Sequence, residues 1–472
     1  MYRTFRYVIK PQNTLFNYCK NITHLSNNLY NASLFRIRQV LAVFKKDVPT
    51  PNEQEVLDEI RDALPKMNQL REEANTKRIA KAKEANKEPS VSKQFCMPNA
   101  EKHFLSYSFL DALMRVTQNQ DYIADLPRHT AQATIKRARQ DVKNYFSALN
   151  AFYKNPGKFK EKPQLPGYKK RGGHCLATLS NQESVIYGRY LKLPRTQEKL
   201  DLGPVIPDTA KLKEVQIHPY YGCFLIILVV DMQKGKREAS DQSTRIAAID
   251  FGVNNIAAIA NNAGLPGLLF KGGIIKAENQ WFNKRRSQIV HGITVGQPTT
   301  SCPTSKSLQR LSRHRDGLMR TEMHTIAKKI ISWCQENNID TLVLGHDPDW
   351  KDKAHMGPIS NQNFVPIPFG KLRWYLTYMG HESGIRIVDQ EESYTSKASF
   401  LDMDEIPTYG QEGPEKPKFS GYRKKRLYKS KGYKRIVNAD LNGAGNILRK
   451  AFPDAFTDKT TYPFLDTIIV NR

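Results

Sequence analysis

Paired cysteines, long apolar runs and acidic side chains are all scarce in this 472-residue sequence. The six cysteines, Cys19, Cys96, Cys175, Cys223, Cys302 and Cys334, lie far apart, and no two form a CxxC pair. That spacing argues against both a disulfide framework and a simple zinc finger. No apolar run approaches the roughly eighteen residues of a membrane span; the longest, Cys223 to Val230, has the length of a strand. The opening MYRTFRYVIK lacks the apolar core of a secretory signal, so a reducing interior is expected. Acids number 46 against 73 lysines and arginines, leaving a net charge of +27.

That excess is segregated. Residues 51–100 are neutral, with nine basic and nine acidic side chains, whereas 151–200 carry eleven against three. Lys416 to Arg435 hold ten basic residues and no acid. Tyr168, Tyr187, Tyr190, Tyr422, Tyr428 and Tyr433 are interleaved with the basic stretches. Cations neutralise phosphates and release counterions, and aromatics stack on unpaired bases, so the pattern points to nucleic acid rather than to a merely solvated surface. Hydrophobic residues make up 39%, enough for folded domains, and the length suggests two to four of them.

Internal repeats and low-complexity tracts are absent. Residues 3–10 alternate like a strand, and Tyr18, Ile22, Leu25, Leu29, Leu34 and Ile37 recur at helical spacing. Residues 51–100 read as an exposed helical insertion or a mobile loop, and about 131–153 as a second amphipathic helix. Short alternating segments broken by Pro and Gly from 156 to 244 read as a small barrel or sheet, and the polar stretch 234–243 as a linker. After it come strands at 246–250, 256–260 and 267–270, a long helical region, strands at 341–344 and 385–389, and a helix at 441–452. That order is the order of an RNase H-like α/β fold.

Three carboxylates stand at strand ends or a helix start: Asp250 in IAAIDFG, Glu391 or Glu392 in GIRIVDQEE, and Asp440 in NADLNGAGNIL. Taken singly each is ordinary: a turn-opening Asp, a solvated strand end, a helix cap beside Asn438. Together, in a basic chain, they suggest a two-metal phosphodiester site, in which carboxylates bridge two Mg²⁺ ions that stabilise the attacking and leaving oxygens.

The stretches IAAIDFGVNNIAAIA (246–260), IDTLVLGHDPDWK (339–351), GIRIVDQEESYTSKASFLD (384–402) and NADLNGAGNILRKAF (438–452) resemble the split RuvC nuclease of the TnpB family. These transposon-encoded RNA-guided DNA endonucleases are related to Fanzor proteins and type V CRISPR effectors. The likeness extends to NNLYNASLFRIRQ (27–39), KPQLPGYKKRGG (162–173), NQWFNKRRS (279–287) and LQRLSRHRDGLMRTEMH (308–324). It implies a multidomain α+β protein. An N-terminal β-barrel or wedge domain would occupy 1–12 and 154–240, interrupted by a helical recognition domain at 13–153. A RuvC nuclease domain would occupy 244–397 and 438–456, with a basic insertion at 398–437 and a C-terminal tail at 457–472. A transposon-end guide RNA would pair with double-stranded target DNA beside a short motif read by the protein. The protein itself would be a monomer in a ribonucleoprotein, with no membrane partner.

Carried over by position, Asp250 and Asp440 match the first and third catalytic acids and metal ligands of the family. The usual second acid would follow the strand at 341–344, but Gly345 stands there, followed by His346. In a subset of the family a glutamate just before TSK replaces it, which points to Glu392, with Glu391 as the fallback. The family's four-cysteine zinc ribbon has no counterpart, since 398–437 contain no cysteine. Magnesium is therefore the expected cofactor, with Mn²⁺ able to substitute, and zinc is not expected. Nucleic-acid contact would rest on Lys169, Lys170 and Arg171 and on Arg423, Lys424, Lys425 and Arg426. A nuclease-inactive RNA-guided repressor is a second reading, although the acids are retained. A guide-independent RuvC-like resolvase is a third, and it leaves the basic N-terminal half without a role. The expected location is cytoplasmic and nucleoid-associated in a bacterium, or nuclear in a eukaryote, where 422–435 would serve import as well as phosphate contact.

Overall fold

The computed structural model of the chain describes residues 2–123, 125–207, 209–232, 244–295, 304–346, 367–408, 417–456 and 461–470. The linker at 234–243, Cys302, Lys416 and the end of the 339–351 motif fall outside them. The chain divides into two compact units, Met1–Lys234 and Gly235–Arg472. None of the described helices is long and apolar enough to cross a membrane.

In the first unit the strands are β1 (Tyr2–Ile9), β2 (Ala177–Ser180), β3 (Val185–Tyr187), β4 (Tyr190–Lys192), β5 (Lys199–Asp201), β6 (Lys211–Tyr220) and β7 (Cys223–Asp231). The helices are α1 (Phe16–Val43), α2 (Pro51–Glu84), α3 (Tyr107–Val116), α4 (Gln120–Ile123) and α5 (Arg128–Lys154). β6 and β7 are joined through Tyr221 and Gly222 at φ 44° and 71°, the paired positive values of a tight hairpin turn. Proline at the first position and the reciprocal Thr50–Glu53 capping box start α2 at residue 51.

The expected barrel is not closed among the described residues. The strands form an open antiparallel sheet, β1-β7-β6-β2, and a separate three-stranded sheet, β3-β4-β5. Helices cover the open sheet instead. Leu29, Leu34 and Ile37 of α1 and Ile135 and Val142 of α5 share one core with Val215, Ile217, Ile226 and Leu228 of the sheet. Residues 13–153 and the strands after them therefore make one unit, because neither the helices nor the sheet could bury its apolar face alone.

The second unit is built on β8 (Ile246–Asp250), β9 (Asn255–Asn261), β10 (Gly267–Lys271), β11 (Thr341–His346), β12 (Arg386–Glu391) and a strand near the C-terminus. Its helices are α6 (Gly273–Thr294), α7 (Lys306–Glu336), α8 (Phe369–Ser383) and α9 (Ala439–Ala451). A small sheet comprises β13 (Gly421–Lys424), β14 (Leu427–Ser430) and β15 (Ile436–Asn438), and β16 spans Thr467–Val470. The large sheet has the order β12-β11-β8-β9-β10-β16; β11 runs parallel to β8 and β12, and β9 antiparallel to β8 and β10.

Side-chain alternation sorts the sheet between two helical layers. Ala247 and Ile249 of β8 join a core with Met323 and Ile330 of α7 and Leu372 and Leu376 of α8. Ile246 and Ala248 join Ala444, Ile447 and Leu448 of α9 on the other face. The residues expected to form a C-terminal tail contribute to this second core. Phe464 and Leu465 are buried in it, and β16 extends the sheet parallel to β10.

The basic insertion folds as the small sheet and is anchored without cysteine. Buried Tyr428 donates to the Lys397 carbonyl at 2.7 Å. Asp402 accepts from Ser430 Oγ at 2.8 Å and from the Gly432 amide at 3.1 Å. Asp404 accepts from the Ser399 and Ser420 amides at 2.7 and 2.9 Å.

Candidate active site

Three parallel strands, β8, β11 and β12, end together at one edge of the sheet, the edge where α/β sheets gather their polar groups. Asp250 ends β8, Gly345 lies near the end of β11, and Glu392 is the first residue past β12. Asp440 comes from elsewhere, in the first turn of α9. Asn438, not Asp440, caps that helix, its side chain accepting from the amides of Asp440 and Leu441 at 2.9 and 3.3 Å. Asp440 thereby points its carboxylate outward from the helix start.

Glycines admit the acids to this space. A Cβ on Gly345 would lie 2.6 Å from Glu392 Oε2, and one on Gly443 would lie 2.6 Å from Asp250 Oδ2. The carboxylate of Glu392 thus fills the room beside β11 that a side chain at 345 would take. Gly443, three residues after Asp440 on one face of α9, lets the helix approach Asp250.

Asp250 is half-buried at the end of β8, and its carboxyl is held well above the usual carboxylate range, first by desolvation and then by the charges of Glu392 and Asp440. Arg423 opposes that shift. Its Nη2 donates to Asp440 Oδ1 at 2.8 Å, and Asn255 Nδ2 donates to Asp440 Oδ2 at 2.6 Å. The three acids are therefore electrostatically coupled around one space. As they stand, no group of three or more His, Cys, Asp or Glu among the described residues is close enough to hold a metal ion. The donor set still suits magnesium in kind: three hard carboxylate oxygens and an excess of negative charge that a cation relieves.

Glu391 is directed elsewhere. Its Oε2 accepts from Lys450 Nζ at 2.5 Å and its Oε1 from the Ser393 amide at 2.7 Å, and these bonds hold its carboxyl below the usual range against the opposing effect of burial. Lys450 belongs to α9, so the pull of that ammonium, and not simple face alternation, turns Glu391 out of the cluster.

The basic residues divide between the two units. In the first, Lys169, Lys170 and Arg171 are exposed on a loop fastened to α1: Asn31 Oδ1 accepts from the Lys169 amide at 2.8 Å, and Asn27 Nδ2 donates to the Lys170 carbonyl at 3.1 Å. In the second, Arg423, Lys424, Lys425 and Arg426 occupy the exposed tip of the β13–β14 hairpin, with Lys425 at φ 57°. Sequence reading had not singled out Asn255, Gly443 or Lys450. Asn255 is five residues from Asp250, and Gly443 keeps helical spacing from Asp440, so only those intervals signalled them.

Residues 228–350 match the family model OrfB_IS605, described as a probable transposase. No curated protein matches the sequence. Among solved structures, a Cas12f1–sgRNA–target DNA complex aligns at 14% identity and a TM-score of 0.33, covering 95% of this chain and 98% of that one. C2c1 of Alicyclobacillus acidoterrestris with single-guide RNA aligns at 10% identity and a TM-score of 0.34, covering 90% and 70%. Likeness this slight assigns no role to any residue here. The family match takes in Asp250 and Gly345 and ends before Glu392 and Asp440, and on it the chain's resemblance to the TnpB-type transposases is borne out.

Proposed function

We propose that the protein is an RNA-guided DNA endonuclease in which Asp250, Glu392 and Asp440 are the catalytic acids and Mg²⁺ the cofactor. The observation that carries this is the approach of three carboxylates from separate segments, two from strand ends and one from a helix start, with the charges of Glu392 and Asp440 both acting on Asp250. The sheet order, in which β8 is followed outward by antiparallel β9 and β10 on one side and parallel β11 and β12 on the other, supports an RNase H-like reading of this unit. The transposase-family match supports a nucleic-acid substrate. Pairing of a guide RNA with target DNA beside a short motif would supply sequence specificity.

In this reading Asp250 and Glu392 present oxygens from the sheet edge and Asp440 from the helix start. Asp250, Glu392 and Asp440 would hold magnesium there, and it would supply Lewis-acid stabilisation of charge on the phosphate oxygens and a lowered pKa for water. Asn255 orients Asp440 through one oxygen, and Arg423 balances part of the cluster's charge through the other. Water attacks the scissile phosphorus in line, leaving a 5′-phosphate and a 3′-hydroxyl.

The test is to sequence the RNA that copurifies with the protein and to assay cleavage of DNA matching its guide segment. Cleavage should require millimolar Mg²⁺ or Mn²⁺, and elemental analysis should find no stoichiometric zinc. A discrete RNA with binding but no cleavage would establish the repressor reading, and cleavage indifferent to RNA would establish the resolvase.

Gly345→Ala provides a finer test. The new methyl would meet Glu392 Oε2, Ile447 Cδ1 at 2.9 Å and the Ile249 carbonyl at 3.1 Å, and the flexible glutamate is the group that yields. Overpacking of this kind costs about 1–3 kcal/mol. With that strain falling on Glu392, the expected result is a cleavage loss of roughly 5- to 150-fold, by the ~1.4 kcal/mol-per-decade rule, with a modest fall in melting temperature. Unchanged cleavage would place Glu392 outside the reaction.

A further inference from the structure

We propose that Lys276 and Arg426 form a phosphate subsite at the rim of the acid cluster, holding the DNA phosphodiester that is to be cut. The inference rests on the endonuclease reading and adds a substrate-binding pair to it. Lys276 lies in the first turn of α6, and its ammonium donates to the side chain of Asn254, the neighbour of the Asn255 that holds Asp440. The backbone fixes this placement. The Gly272 amide donates to the Asn254 carbonyl at 2.8 Å, and a Cβ on Gly272 would lie 3.1 Å from Ile256 Cδ1, so α6 starts tightly against the β8–β9 turn.

Arg426 reaches the same rim from the β13–β14 hairpin. Its carbonyl accepts from the Ala439 amide at 2.9 Å, which places it one residue from Asp440 along the chain that begins α9. Its side chain is exposed and makes no hydrogen bond or ion pair among the described residues. Arg423, three residues earlier, is already engaged by Asp440. Lys276 and Arg426 are within electrostatic reach of each other: the lysine's proton affinity is lowered by burial and then by the arginine's charge.

Two cations thus repel across a rim in front of the acid cluster. A diester phosphate seated there would accept from both, one non-bridging oxygen to each, while its phosphorus faces the carboxylates. The guanidinium and the ammonium would each donate to one of those oxygens. The pair would also offset the repulsion between the acid cluster and an approaching DNA backbone.

The experiment compares the parent protein, purified with its own RNA, with Lys276→Ala, Arg426→Ala, the double variant and Lys276→Arg. Fluorescence anisotropy with a 20-nucleotide single-stranded DNA is followed across NaCl concentrations in EDTA, and cleavage of guide-matched DNA is measured in Mg²⁺ at saturating DNA. The log–log salt slope should become shallower by about 0.7 per lost phosphate contact in the alanine variants and should be kept in Lys276→Arg. Cleavage should fall at least tenfold in each alanine variant, with melting temperatures unchanged. A parent-like slope and cleavage rate in the double variant would overturn the subsite and leave the endonuclease reading standing. A parent protein that neither binds nor cuts DNA would overturn both.

Discussion

Glu392→Ala is expected to abolish cleavage while binding of RNA and target DNA persists, and Glu391→Ala to lower stability while most cleavage is kept. Glu392 occupies the space beside Gly345 and raises the proton affinity of Asp250, so it belongs to the cluster. Loss of an acid that bridges catalytic metals removes several kcal/mol of transition-state stabilisation, at least about a thousandfold in rate. The same substitution removes one of two charges repelling Asp250, so the melting temperature should hold or rise. Glu391 is instead the partner of Lys450, whose side chain is 9% exposed. Truncating it leaves that ammonium without its carboxylate, held only by the Ser393 and Pro407 carbonyls, at a cost of about 1–3 kcal/mol for a partly exposed pair. Glu391→Ala should therefore melt earlier yet cut at a substantial fraction of the parent rate when assayed below its transition. Measuring both quantities in both variants separates the roles; cleavage lost in Glu391→Ala and kept in Glu392→Ala would shift the second acid by one residue.

Asp250→Asn should be inactive and more stable. A half-buried, desolvated carboxylate facing two other acids is ionised at the expense of folding, and an amide of the same shape carries no such penalty. The pH dependence has a definite sign. Because the folded-state pKa lies above the unfolded value near 3.8, both states are protonated at lower pH and the group is then neutral in its effect. As pH rises past 3.8 the unfolded chain ionises first, and stability falls until the folded-state pKa is passed. The melting-temperature difference between Asp250→Asn and the parent should accordingly widen from acid toward neutral pH in EDTA. At neutral pH it should reach at least about 2–4 °C, the shift that 1 kcal/mol produces in a domain of this size. Magnesium should then stabilise the parent more than the variant, since ligand binding to the folded state adds stability in proportion to affinity. A flat difference across pH would mean that Asp250 is not the stressed group of the cluster.

Local pattern was enough for most elements of the second unit. The apolar runs at 246–250 and 341–344 became β8 and β11, because a strand buried on both faces has few other ways to satisfy its backbone. Helical spacing at 18–37 became α1, and Asp440 stands one residue inside a helix whose start the Asn438 cap marks. Carboxylates at strand ends were likewise legible, since strand ends are where the apolar pattern stops.

What the pattern left open depended on partners distant in sequence. Whether the N-terminal strands close into a barrel is decided by edge pairing, and here α1 and α5 take the apolar face that closure would have buried. The residues after 456 looked like a tail because Phe464 and Thr467–Val470 have no local partner; β10 and α9, contributed by other parts of the chain, supply one. Glu391 and Glu392 are neighbours that strand alternation points to opposite faces, and the resemblance favours Glu392 without showing what holds either in place. Lys450 draws one outward and the missing side chain at Gly345 admits the other, two contacts that exist only once β11, β12 and α9 are packed together. The sequence by itself determined which segments are strands and helices and that acids stand where strands end, because those follow from local apolar periodicity. The tertiary structure alone decided what holds each acid where it is, because Lys450 beside Glu391 and the space at Gly345 beside Glu392 are brought together only across the fold.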